Sequence, residues 1–423
     1  MSVPPNPSYL PRIVDHELTS RLASLGAVLI EGPKACGKTE TARQRAASEV
    51  RLDIDATARE AASVDPSIVL QGPRPRLIDE WQLEPKIWNH VRRAVDDSRA
   101  AGQFILTGSA VPADDETQHS GALRIGRLRM RPMSLFESGH SSGEISLAQI
   151  LAGDSPRSGD PGSSVSSIVD RICVGGWPSL QTAAVPDALV ALRDYIDDVR
   201  RVDINNVDAT RRDPERVLRL LRSLARNIAT SAAITKIAAD TNGPDGELSR
   251  PTIYNYLVAL ERLLIIEDQP AWQPHLRSKA QSRVTPKRHF VDPSLAVAAL
   301  GTSPAGLLAD LNYLGYLFES LVVRDLRVYA QANDAEVSQY RDNEGLEVDA
   351  IVKSRDGRWA AFEVKLGGEE RIDEGSRQLL AFAERVDTSR AGTPALLAVV
   401  VASGYGYVRN DGVVVIPITA LKD

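Results

Sequence analysis

Residues Gly32-Pro33-Lys34-Ala35-Cys36-Gly37-Lys38-Thr39 spell GxxxxGK[ST] between an apolar run, Ala27 to Ile30, and a helix-prone stretch, Glu40 to Ala47. A glycine-rich turn that leads from a buried strand into a helix is a phosphate cradle, and it requires an α/β sheet around it. The glycines let backbone N–H groups approach phosphate oxygens, and the helix adds the positive end of its dipole. The eight residues Gly32 to Thr39 are therefore the expected nucleotide contacts, with Lys38 on the terminal phosphates and Thr39 on Mg2+. ATP and Mg2+ are the expected cofactors, and Cys36 reads as a small filler within the turn.

Downstream, Arg76-Leu77-Ile78-Asp79-Glu80 is a short strand ending in two acids. Nucleotide hydrolysis uses one carboxylate in the metal shell and one beside the attacking water, so Asp79 takes the first role and Glu80 the second. A third strand, Ile105 to Ser109, ends in small hydroxyl residues, and either Thr107 or Ser109 is placed to sense the terminal phosphate. Arg124, Arg127, Arg129 and Arg131 then alternate along LRIGRLRMRP. Arg127 is the candidate for an arginine finger, acting in its own chain or across a homo-oligomer, and a solvated strand face is the alternative.

The 423 residues suit about three domains. Two cysteines exclude a disulfide framework and a cysteine zinc cage, and fit a reducing, cytoplasmic setting. No apolar run approaches the ~20 residues that span a bilayer, and the first residues lack an export signal, so no membrane partner is expected. The order of elements implies an ATPase core at 1–140, a Ser/Gly-rich flexible connector at 141–167 and a helical region at 168–210. A two-helix module at 211–301 and a second α/β domain at 302–423 complete it.

Within 211–301, Ile234 to Thr241 and Ser249 to Leu263 have helix–turn–helix spacing and look like a winged helix, with Arg250, Thr252, Tyr254 and Asn255 on the second helix's open face. From Arg211 to Phe290 fourteen Lys and Arg face eight Asp and Glu, so this stretch is net +6 in a chain of net charge -6. A local basic segment in an acidic chain fits a DNA or RNA footprint, although such modules also dock proteins.

Near the C-terminus, strands Glu347 to Val352 and Trp359 to Lys365 bring Asp349 beside Glu363 and Lys365, which share one strand face. Two carboxylates beside a lysine can hold Mg2+ and orient a hydroxide for phosphodiester attack. A surface ion pair with Asp349 in a turn is the plain alternative.

In their order, GPKACGKT, LIDEWQ, ILTGSA and GRLRMRPMSLFE resemble AAA-type ATPases that carry a C-terminal domain of unknown function 4143. VGGWPSL, YIDDVRRVDI and PKRHFVDPSLAVAALG extend the likeness over nearly the whole chain. The Asp349, Glu363, Lys365 pattern resembles the PD-(D/E)xK nuclease fold. That likeness implies Glu319 as a further metal-binding acid and Gln378 on the helix after the core strands. The resulting expectation is an α/β chain: an AAA-type P-loop NTPase, a helical and winged-helix middle, and a PD-(D/E)xK-like domain directed at nucleic acid. An ATP-regulated protein-interaction or DNA-binding switch without nuclease activity is the second reading.

Overall fold

The computed structural model describes residues 8–108, 120–208, 210–244, 246–275 and 285–423, and every structural statement concerns these. Contacts gather into two compact units. One comprises 1–132, 203–211 and 259–264, and the other 133–202, 212–258 and 265–423.

The first unit is built on five parallel strands: β1 (Ala27–Glu31), β2 (Ser48–Arg51), β3 (Arg76–Asp79), β4 (Phe104–Gly108) and β5 (Ile125–Arg129), in the order β2-β3-β4-β1-β5. Ala27, Val28, Leu29 and Ile30 are all buried, as expected of a central strand covered on both faces. The amphipathic helix Ile87–Ser98 packs Ile87, Trp88, Val91 and Val95 into the core, where the Trp81 and Trp88 rings lie 5.2 Å apart. Because β4 lies between β1 and β3, the phosphate loop and the Asp79 end of β3 open on the same edge of the sheet with one strand between them.

In the second unit, the strands β9 (Ala335–Arg341), β10 (Glu347–Ser354), β11 (Trp359–Lys365), β12 (Leu396–Val401), β13 (Tyr407–Val408) and β14 (Val414–Pro417) form a mixed sheet. Its order is β13-β14-β12-β11-β10-β9, antiparallel from β9 to β11 and parallel from β11 through β12 to β14. The helix Glu369–Arg385 provides the crossover that parallel β11 and β12 need. Trp272, Trp359 and Phe382 cluster on one face of this sheet, with the two tryptophan rings 4.8 Å apart. All five tryptophans are buried.

The 22-residue helix Leu311–Ala332 buries almost its whole length from Leu314 onward, including charged side chains. Arg324 is paired with Asp292 at 2.8 Å and Asp325 at 2.7 Å, while the two carboxylates also accept from the Gly176 and Leu135 N–H groups. A buried charge is tolerated when its partners are this complete.

The stretch 141–167 differs from the flexible connector expected of its Ser/Gly content. It holds β6 (Ile145–Ser146), which pairs with β15 (Leu421–Lys422), and the helix Leu147–Ala152. Ser158 bridges to Gly406, and Ser163 Oγ donates to the Ala402 carbonyl at 2.9 Å. The short apolar island Ile145 to Leu151 is buried, and that burial anchors the surrounding polar residues.

The helices Ile234–Ala239 and Arg250–Arg262 are present, followed by the antiparallel pair β7 (Ile266–Gln269) and β8 (Lys287–Phe290). Tyr254 is exposed, whereas Asn255 accepts from Arg212 Nε at 3.0 Å.

Candidate functional site

The loop after β1 turns sharply at Ala35 (φ 61°) and Gly37 (φ 103°), and the helix Lys38–Arg43 begins immediately. Gly32 is required by close approach: a Cβ there would lie 2.4 Å from the Met130 carbonyl oxygen and 2.8 Å from Cys36 Sγ. Cys36 is fully buried, its thiol 3.9 Å from the Met130 carbonyl oxygen.

Lys38 is the informative residue. It is 6% exposed, and its ammonium donates to two carbonyls of its own loop, Gly32 and Pro33, each at 2.9 Å. No carboxylate neutralises it among the described residues. A buried ammonium without a counter-charge is costly, and the cost disappears when an anion arrives. Lys34, by contrast, points outward into an ion pair with Asp203.

Asp79 ends β3 and is 5% exposed. Thr39 Oγ1 donates to its Oδ1 at 2.9 Å, and Thr107, in register with Asp79 on β4, donates to the same oxygen. Burial pushes the Asp79 carboxyl above the usual carboxylate range, against the pull of both hydroxyls. The hydroxyl of Thr39 and the carboxylate of Asp79 are hard oxygen donors of the kind Mg2+ takes. Glu80 follows with a left-handed backbone (φ 55°), and the Gln82 amide donates to its carboxylate.

Arg127 pairs with Glu31 on neighbouring β1, and its guanidinium lies 5.7 Å from the Trp88 ring centroid. Arg124 pairs with Asp96 at 2.8 Å. Ser109 lies outside the described residues.

Arg12 carries no motif in the sequence that marks it. It is 5% exposed and donates to the carbonyls of Cys36 and Arg131, each at 2.8 Å, so it ties the phosphate loop to the segment after β5.

In the second unit, the β9–β10 register shifts between Val348 and Ile351, and this irregularity aims Asp349 toward β11. Asp349 Oδ2 accepts from the Val364 N–H at 3.0 Å. Lys365 lies 3.0 Å from Glu363 and donates to Gln378 at 3.2 Å, so the residues expected to share a face do so. The expected metal set fares differently. Lys287, at the start of β8, inserts its ammonium between Glu319 (2.6 Å) and Asp349 (3.0 Å). Among the described residues no three carboxylate, histidine or cysteine side chains are grouped so as to hold a metal ion.

The carboxyls respond unequally. Burial and the Asp349 charge push Glu319 up to about 8. Burial, again with Asp349, pushes Glu363 well above its ordinary range. Asp349 is held low despite burial, by Lys287 and Lys365. Two ammonium groups, those of Lys287 and Lys365, thus face three carboxyls of which Asp349 is the one whose ionised form is favoured. It opens on a cleft of about 740 Å3 that also presents Arg341, Arg371 and Tyr316.

The first sheet and its loop define a P-loop nucleotide-binding domain. Residues 25–138 match the family model for the AAA domain. Residues 314–421 match domain of unknown function 4143, and 165–306 match domain of unknown function 8612. The chain thus carries an AAA domain at its N-terminus and a 4143-type domain at its C-terminus. It is similar to the uncharacterized proteins Rv2008c of Mycobacterium tuberculosis and Mb2031c of Mycobacterium bovis. Each is 25% identical over 442 residues, which cover 97% of this chain and 89% of the relative. Among solved structures, the Walker-type ATPase PABY2304 of Pyrococcus abyssi matches with a TM-score of 0.42 and 14% identity, over 67% of this chain and 94% of that one. Among the described residues, no helix is long and apolar enough to cross a membrane.

Proposed function

We propose that the protein is a Mg2+-dependent ATPase whose C-terminal unit binds nucleic acid without cutting it. The ATPase reading is carried by Lys38, a buried cation whose partners among the described residues are the carbonyls of its own loop. Phosphate oxygens replace those carbonyls, and the loop N–H groups complete the cradle. Thr39 and Asp79 supply the oxygens that hold Mg2+, which draws off charge from the phosphates when bound. Glu80 accepts a proton from the attacking water, and Gln82 fixes the Glu80 carboxylate. Thr107 orients Asp79 from the adjacent strand.

The second reading of the C-terminal unit is favoured over a nuclease by Lys287. Its ammonium already lies between Glu319 and Asp349, so the acids do not fit a resident metal and no metal-dependent step is derived from them. The cationic side chains lining the cleft, Lys287, Lys365, Arg341 and Arg371, suit a phosphodiester backbone. Arg341 and Arg371 are held by exposed pairs with Glu347 and Glu374, which a phosphate can displace at little cost. The open face bearing Arg250 and Tyr254 extends the same reading to the helical region.

Nucleotide binding and turnover on wild type and Lys38→Ala, with a DNA and RNA binding and cleavage assay in Mg2+, test both parts. The expected result is turnover lost in Lys38→Ala, with nucleic acid bound and left intact. Cleavage abolished by Asp349→Ala would restore the nuclease reading.

A further inference from the structure

A second cleft, of about 390 Å3, lies in the second unit and shares no residue with the sites above. Its walls come from four places: the turn at Gly139 to Ser142, the segment Pro161 to Ser163, the helix Val165–Val174, which presents Arg171, and Thr419 near the C-terminus. No carboxylate lines it.

Arg171 Nη1 lies 2.8 Å from His140 Nε2. A guanidinium only donates, so Nε2 is the acceptor, and His140 is neutral with its proton on Nδ1. Among the described residues, no carboxylate comes within ion-pair reach of Arg171, whose remaining N–H groups are unspent. The Ser142 hydroxyl and the backbone N–H groups of Ser141 and Ser163 also lack partners among the described residues. Asp160, whose Oδ1 accepts from the Gly162 N–H at 2.8 Å, does not line the cleft. An arginine beside a histidine, with free donors around them and no acid, is an arrangement of donors awaiting an acceptor.

We propose that this cleft binds the phosphate group of a small phosphorylated ligand, with Arg171 in a two-pronged contact and His140 as the second cationic donor. The planar fork of Arg171 matches two phosphate oxygens. A dianion matches the pair better than a carboxylate because His140 Nε2, now an acceptor, takes a proton from solvent and becomes a donor. The volume is near the lower end of small-ligand sites, about 300–1,000 Å3, and leaves room for a body of roughly sugar size beside the phosphate. Burial and Arg171 hold the imidazole below its ordinary range, and a dianion beside it reverses that tendency.

The test uses the full chain labelled with 15N-histidine. There are six histidines, so each ring is resolvable, and His140→Gln assigns the signal. Inorganic phosphate, ribose 5-phosphate and acetate are titrated at constant ionic strength. The expected result is a saturable shift of the His140 ring nitrogens toward the protonated form with both phosphates and none with acetate. Arg171→Gln should weaken phosphate binding on the order of tenfold, and Arg171→Lys, which keeps the charge but loses the fork, by a smaller factor. Circular dichroism verifies that each variant is folded. The proposal is overturned if His140 does not respond saturably, if acetate acts as strongly as phosphate, or if both Arg171 variants bind as wild type does.

Discussion

Thr39 Oγ1 lies 2.9 Å from Asp79 Oδ1, although 40 residues of chain and a whole strand separate them. The contact joins the loop that receives phosphates to the acid that completes a metal shell. Asp79→Asn keeps the shape and removes the charge. Its turnover in Mg2+ should fall by roughly 10²–10³-fold, the scale for losing one electrostatic contact to the transition state. Steady-state phosphate release measures this.

Arg12 is the structural counterpart of that pair, because it holds the Cys36 end of the loop from below. Arg12→Ala removes a buried charge-assisted contact, so a loss of about 1.5–3 kcal/mol in stability and weaker ATP binding are expected. Urea unfolding and nucleotide titration measure the two effects.

The nucleotide site was legible because its parts are local: a loop of eight residues, and acids at a strand end. Arg12 was not, since the groups through which it ties the loop are backbone carbonyls, which leave no mark on residue type. Strand β2 (SEVR) has no strand signature in the sequence because it is a short edge strand with two partly exposed polar positions and no apolar run. Lys287 was visible as a residue of PKRHF but not as a member of the C-terminal cluster. Only the pairing of β8 with β7 and the path of the helix Leu311–Ala332 bring it between Glu319 and Asp349, more than thirty residues away on either count.

Lys287→Met should destabilise the protein by about 3–5 kcal/mol, the usual result of leaving buried carboxyls without their partner. Adding Glu319→Gln should recover part of that loss, so the double variant is more stable than the sum of the single effects allows. Chemical denaturation of all four proteins gives the coupling.

Glu319 also sets a pH dependence. Its carboxyl is raised from an ordinary 4.5 to about 8 in the folded chain. The folded state therefore binds the proton more tightly than the unfolded state does. The resulting stabilisation is complete below about 4.5 and is lost as pH rises through about 8. In Glu319→Gln this decline disappears, so stability plotted from pH 5 to 8.5 should be flatter than in wild type, as thermal or urea unfolding across that range will show.

The central claim is that the Lys38, Asp79 and Glu80 site turns over ATP, and Glu80→Gln tests it most directly. Nucleotide affinity and phosphate release are measured in parallel on wild type and variant, with Mg2+ and with the metal chelated. The account predicts turnover in wild type that requires Mg2+ and falls by roughly 10²–10⁴-fold in Glu80→Gln while ATP still binds. Binding without turnover in wild type, or equal turnover in both proteins, would contradict it.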